Sequence, residues 1–393
     1  MPSATGMSMR VAHVITGLGG GGAEFMLVRL CAAMAAAGYD LQVFSLTAGG
    51  PLAAQLRGLK IPLFELGLRG ALDLPRGVLA LRRALRGFAP DLVQTWLCHA
   101  DLIGGLIARY NLRVPVLWGV HQADGDMRDM PFTTRMILRA CAALAKRVPS
   151  RVICCAEAGR RARVASGFPA ALLEVIPNGV DCAQFQPDHD ARARVRSELN
   201  VANDTLLIVM PARWHIDKDH ALLCTAARQV LVRCPHARFV LCGEGIHPGN
   251  SALAAMIAAT GRPQAFHLLG FRSDMAALLA AFDVGVLSSR TEAFPNVIVE
   301  TMACGVPFVA TAVGDVAMMI GEQDEAGRVV AAGDAQALAA ALLEVLLASA
   351  EQRAAMGVHA RSRVLARFNL ATTVARYAAA YRDVLGAASR RGR

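Results

Sequence analysis

Residues 11–46 read VAHVITGLGGGGAEFMLVRLCAAMAAAGYDLQVFSL. The apolar run 11–16 is a strand. Six residues, Gly17 to Gly22, then carry five glycines. From residue 23 to 37 the apolar positions recur with helical spacing, and Gly38 ends the pattern before a second strand at 41–46. This is a strand–loop–helix–strand opening, and the glycine loop sits where a parallel α/β sheet presents its ligand-binding turns.

The same alternation continues outward. Strands are expected at 92–95, 116–120 and 152–155, with helical stretches between them. The polar stretch 177–190 (PNGVDCAQFQPDHD) is expected to hold the interdomain linker, near 181–190, and a second series follows, at 206–210, 238–242, 265–269, 284–287 and 308–311. The fold class is therefore α/β, with two parallel-sheet domains of similar size. The boundaries expected are 1–185, 186–369, and a C-terminal helix with a basic tail at 370–393. That helix, at about 370–385, places Tyr377 and Tyr381 on one face. It is expected to pack back on the first domain, with the tail from Ser389 to Arg393 disordered.

Composition bounds the rest. The chain has 393 residues, of which 54% are hydrophobic and 18% charged, enough for two cores and too apolar for disorder. Glu300, Glu344 and Asp283 interrupt the most apolar stretches, so no membrane span is expected. The start, MPSATGMSMR, lacks the cationic and apolar regions of a secretion signal. The ten cysteines form no C-x-x-C pair, which points to reduced, buried thiols in a cytoplasmic protein and to no metal site.

The net charge of +10 is uneven. Residues 1–185 hold 20 basic and 12 acidic residues, against 21 and 19 in the remainder. The excess is densest from Arg57 to Arg86, where Lys60, Arg69, Arg76, Arg82 and Arg83 also lie, interleaved with Leu79, Leu81 and Leu85. Such a stretch is either a solvated helix face or a surface for an anionic membrane. No nucleic-acid motif accompanies it, so no nucleic-acid partner is expected.

The residues able to do chemistry sit in the turns after strands. Gly17, Gly19 and Gly22 fit G-x-G-x-x-G, the dinucleotide pattern, but the second strand ends Phe44-Ser45-Leu46-Thr47 without the acid that holds a ribose. An NAD-dependent oxidoreductase is thus the disfavoured alternative. What remains is a loop that admits close backbone approach of an anion, with Glu24 as a capping acid. In the second domain, Arg213 and Lys218 follow a strand and can converge on a phosphate. Gly243 and Glu244 follow the next strand, and Phe271 and Arg272 the one after. The segment SSRTEAFPNVIVE, residues 288–300, runs from a strand through Glu292 to a helix that Pro295 is expected to begin and Gly305 to end. The free amides of that helix, near Asn296–Ile298, would point towards an anion or sugar hydroxyls. Glu300 lies among apolar neighbours, and a buried glutamate needs a partner or a ligand.

Glu292 and Glu300 form an E-x7-E pattern. With Arg213, Lys218 and Gly21-Gly22-Ala23-Glu24, it resembles the retaining glycosyltransferases of family 4, which have the GT-B fold. Ile176-Pro177-Asn178-Gly179-Val180-Asp181, Leu268-Leu269-Gly270-Phe271 and Ala303-Cys304-Gly305-Val306-Pro307 match in order and spacing, so the resemblance covers nearly the whole chain. It implies two Rossmann-like domains whose parallel sheets face across a cleft. It implies a nucleotide-sugar donor, commonly a UDP-sugar, as substrate and no cofactor. Arg213 and Lys218 would hold the diphosphate in place of a metal, approached by Gly21 and Gly22. Phe271 and Arg272 would lie by the base, largely through backbone contacts, Glu300 at the ribose, and Glu292 at the transferred sugar with the amides of Phe294, Asn296 and Val297 nearby. His121 matches the histidine at the sugar and acceptor side, and His99 is a second acceptor-side candidate. Next to His121, Gln122, Asp124 and Asp126 read as a polar loop, either suited to an acceptor hydroxyl or simply solvated. The acceptor would be a glycan or a lipid-linked molecule, met at the cytoplasmic membrane face. An inactive glycan- or lipid-binding relative is the other alternative. Ala293 stands where the family usually has glycine.

Overall fold

The computed structural model describes residues 8–122, 131–202, 204–321 and 325–391. Asp124 and Asp126 lie outside the described residues. The chain forms two compact units, Met1–Gly179 with Leu370–Arg393, and Val180–Asn369.

The first unit holds seven parallel strands: β1 (Arg10–Ile15), β2 (Asp40–Ser45), β3 (Leu63–Glu65), β4 (Leu92–Trp96), β5 (Val116–Val120), β6 (Arg151–Cys154) and β7 (Leu173–Val175). Their order is β3-β2-β1-β4-β5-β6-β7. β4 and β5 are buried along their whole length, because helices cover both faces of the sheet, and buried parallel strands read as unbroken apolar runs. The order reverses between β1 and β4, and ligands bind at the carboxyl ends of strands at such a point.

One face of this sheet packs on the helices Gly22–Ala36 and Leu370–Arg391, where Met26, Leu30, Tyr377, Tyr381 and Val384 form one core. The final helix runs to Arg391, so Ser389–Arg391 are helical rather than disordered. The Ser389 hydroxyl donates to the Leu385 carbonyl within that helix.

The second unit holds six parallel strands: β8 (Leu207–Pro211), β9 (Arg238–Cys242), β10 (Phe266–Leu268), β11 (Val284–Leu287), β12 (Phe308–Thr311) and β13 (Gly327–Val330). The order is β10-β9-β8-β11-β12-β13, reversing between β8 and β11. The stretch 181–190, read from the sequence as the linker, lies inside this unit. Cys182 and Phe185 are buried, and their carbonyls accept from Arg361.

All ten cysteines are free and buried. Among the described residues no helix is long and apolar enough to cross a membrane.

Tyr377 is fully buried against the first sheet although it arrives from the far end of the sequence. Tyr377→Ala should therefore cost about 3–5 kcal/mol, as large-to-small changes of buried aromatics do. Urea denaturation measures this, and an unchanged midpoint would mean that the helix is a peripheral addition.

Candidate functional site

In the second unit the two loops at the reversal point are tied together. After β8 the chain passes Arg213 and Trp214 and makes a short 3-10 turn, Ile216–Lys218. Asp219 follows with φ +46°, a left-handed conformation unusual outside glycine. Its side chain accepts from the Leu222 amide, capping the helix His220–Arg233. It also takes Arg290 Nε at 2.7 Å. The Ser288 hydroxyl donates to the carbonyls of Lys218 and Asp219, at 2.9 and 3.0 Å. The Arg290 amide reaches the Asp217 carbonyl at 2.7 Å.

These links carry Lys218 to Glu292. Lys218 Nζ donates to Glu292 Oε1 in an ion pair shielded from solvent. The Ser289 hydroxyl donates to the same oxygen at 2.7 Å. Arg213 is exposed and makes no ion pair among the described residues. It is available to an incoming anion, whereas Lys218 is shared with a carboxylate.

The helix after Glu292 spans Asn296–Ala303, and Pro295 is its N-cap rather than its first residue. Glu300 is the fifth residue of that helix and is buried. Asn296 is also buried, Val297 half-buried. Phe294 packs edge-on to Phe368 at 5.7 Å, which commits its ring to the core and leaves its backbone for a ligand. Gly305 closes the helix at φ +75°. Ala293 is not among the residues with positive φ, so an alanine fits there without backbone strain.

Gly243 and Gly245 explain how the neighbouring turn reaches Arg213. A Cβ on Gly243 would stand 2.5 Å from the Ala212 carbonyl, and one on Gly245 2.8 Å from Trp214 Cβ. This close approach lets the Trp214 amide donate to the Glu244 carbonyl at 2.7 Å, while the Glu244 side chain is exposed. Phe271 is exposed. The guanidinium of Arg272 is taken by Glu198 and Asp274, at 2.5 and 2.6 Å. Its side chain is therefore committed to two carboxylates of its own unit.

The first unit presents its own polar residues at the same strand ends. Gly21 caps the helix Gly22–Ala36, and the Glu24 carboxylate folds back on Gly21, where a Cβ would stand 2.5 Å from Glu24 Oε2. His121 follows β5. Its ring stacks on Trp96 at 4.6 Å, and neither ring nitrogen has a hydrogen-bond partner among the described residues. Trp96 is fixed in turn, donating from Nε1 to His13 Nδ1 at 3.2 Å and stacking on Tyr377 at 6.2 Å. Burial lowers the His121 pKa to about 3 and that of His13 to about 3. Both are neutral imidazoles at pH 7. His99 is half-buried, its ring beside the Cys98 thiol at 3.6 Å.

Leu97, between Trp96 and the helix Cys98–Leu106, has φ +72°, a strained conformation for a leucine. Asp101 holds this corner. It accepts from the Thr95 hydroxyl at 2.5 Å and from the Gly119 amide at 3.3 Å. Burial raises its pKa to about 7. The sequence signal for Asp101 was an acid inside an apolar helix, the same signal that marked Glu300. Asp219, Ser288 and Arg290 carried no such signal, since they meet across about 70 residues of chain.

Two family models match the chain, Glycosyltransferase Family 4 over residues 20–184 and Glycosyl transferases group 1 over residues 205–348. Two doubly wound units with polar loops at their reversal points form the GT-B architecture. A crystal structure of Anabaena HepE in complex with UDP and glucose superposes with a TM-score of 0.84, covering 95% of this chain and 100% of that one at 24% identity. The chain belongs to the family 4 glycosyltransferases. A putative glycosyltransferase of Bacillus subtilis (strain 168), EpsF, is 27% identical over 326 residues, 76% of this chain and 78% of that protein. The GDP-mannose-dependent alpha-(1-6)-phosphatidylinositol monomannoside mannosyltransferase of Mycolicibacterium smegmatis is 33% identical over 230 residues, 56% of this chain and 58% of that protein.

The buried histidines set a pH response. Between pH 6.5 and 3 the unfolded chain binds protons that folded His121 and His13 refuse, so stability is lost as pH falls through that window. His121→Phe removes one such group and keeps the stack. Its Tm should drop less than that of the wild type between pH 6.5 and 5. Equal drops would mean that His121 is hydrated and titrates normally.

Proposed function

We propose that the protein is a retaining glycosyltransferase that moves a sugar from a UDP-sugar to a glycan or lipid-linked acceptor, in cell-surface polysaccharide or glycolipid synthesis on the cytoplasmic side of the membrane. The observation that carries the reading is the Lys218–Glu292 pair at the reversal point of the second sheet, with Arg213 beside it in sequence and Glu300 one helical segment on. The group that leaves in such a transfer is a nucleoside diphosphate, which gains negative charge as its bond to the anomeric carbon breaks. Arg213, Lys218 and the amides at Phe294, Asn296 and Val297 supply positive charge and hydrogen bonds to it, which is where such catalysis gains most. The same groups make a metal ion unnecessary. Glu300 takes the ribose hydroxyls and Glu292 the transferred sugar. Gly243, Glu244, Phe271 and Arg272 frame the nucleotide through their backbones, and Gly21 and Gly22 serve the diphosphate.

His121 accepts a hydrogen bond from a sugar or acceptor hydroxyl. Its low pKa suits orientation rather than proton storage, because a neutral imidazole whose nitrogens have no partner among the described residues can accept without first losing a proton. His99 serves the acceptor. Retention rests on the family resemblance. Uracil as the donor's base is supported by the HepE complex with UDP, and guanine by the M. smegmatis relative, whose name specifies GDP-mannose.

The acceptor is met at an anionic membrane surface through the stretch from Arg57 to Arg86. On the helix Leu74–Phe88, Leu81 and Leu85 turn inward to the core, so they are not part of that surface. Leu72, Leu74, Val78 and Leu79 remain exposed, together with Arg76, Arg83 and Arg86. Each cation close to an anionic bilayer contributes about 1 kcal/mol.

Two measurements test the reading. Lys218→Ala should lower kcat by about 10²–10³-fold, the usual loss on removing one such stabilising group, while Glu300→Ala raises the donor KM and EDTA changes neither. Unchanged kinetics in both variants would contradict the donor site. In flotation, vesicles of phosphatidylglycerol should carry the protein and vesicles of phosphatidylcholine should not. Equal behaviour would remove the membrane from the account.

A further inference from the structure

Lys218 is not held ready for a diphosphate. Its ammonium is bonded to Glu292 Oε1, in a pair whose side chains are only 20% and 12% exposed. A diphosphate that reaches Lys218 therefore competes with a carboxylate already there. If Lys218 turns to the phosphate alone, Glu292 keeps one neutral donor on that oxygen among the described residues, the Ser289 hydroxyl. A shielded carboxylate that loses its cation is costly unless new hydrogen bonds replace it.

The two ligands of this site differ in whether they bring that replacement. A nucleotide-sugar carries hydroxyl donors on the group next to the diphosphate. A bare nucleoside diphosphate ends there and brings none. We propose that Glu292 is a specificity-determining residue that separates donor from product, withholding Lys218 from a bare nucleoside diphosphate and yielding it when sugar hydroxyls take over the carboxylate. The inference rests on the donor-site reading above. When the sugar departs to the acceptor, Glu292 reclaims Lys218, and the remaining diphosphate loses a cation that it held during transfer. The pair thus favours product release without any added element. Arg213, exposed and outside any ion pair among the described residues, meets both ligands alike and does not discriminate.

Titration calorimetry on the full chain tests the exchange, with UDP and UDP-glucose and with GDP and GDP-mannose as probes. Glu292→Gln should bind the bare diphosphate about tenfold tighter, a typical coupling between two linked sites. It should bind the matching sugar nucleotide no tighter, so that the preference for donor over product collapses. The inhibition constant of the diphosphate product should fall by the same factor. Arg213→Ala should weaken both ligands equally. A Glu292→Gln variant whose diphosphate affinity is unchanged or weaker overturns the proposal. So does equal tightening of both ligands, which would make Glu292 a background charge. If the wild type binds no nucleotide, the donor-site reading falls and the inference with it. If Arg213→Ala weakens binding while Glu292→Gln shifts nothing, the donor site stands and the exchange alone fails.

Discussion

The second unit depends on one constraint: two loops leaving adjacent parallel strands must be bonded directly to one another. β8 and β11 are neighbours at the point where the sheet order reverses. Their loops are held together by Ser288 on two carbonyls, by Arg290 on Asp219, and by Lys218 on Glu292. Asp219 does three things at once. It takes up a left-handed backbone, caps the next helix and anchors Arg290. Backbone strain of this kind is held by the surrounding bonds and is found where geometry matters more than stability.

The first unit solves a similar problem with rings and a single acid. Trp96 is fully buried, bonded to His13, and stacked on both His121 and Tyr377. The imidazole of His121 is thereby oriented by contacts with its face, while its nitrogens have no hydrogen-bond partner among the described residues. Asp101 ties β4 to β5 through Thr95 and Gly119. The C-terminal helix supplies Tyr377, so the last segment of the chain supports a residue near position 120.

Much of this was legible in the sequence, for a physical reason. β5, β9, β11 and β12 were read to the residue because strands buried on both faces are uninterrupted apolar runs. β3, β7 and β13 were missed. They are edge strands of three or four residues, partly exposed, and Arg328 inside β13 breaks the pattern. The polar stretch 181–190 looked like a linker because composition does not show that Arg361 gathers its carbonyls. In the site, Arg213, Lys218, Glu292 and Glu300 were visible as charged residues at strand ends and in an apolar helix. Their pairing was not, since Lys218 and Glu292 are 74 residues apart. Nor could the sequence show that Arg272 spends its side chain on Glu198 and Asp274.

The central claim is that a nucleotide diphosphate binds at the reversal point of the second sheet. Hydrogen exchange with and without UDP locates that binding directly. The account predicts slower exchange at the amides of residues 212–219 and 293–300. Slowing confined to Gly17–Gly22, reproduced by NAD and not by UDP or GDP, would contradict it.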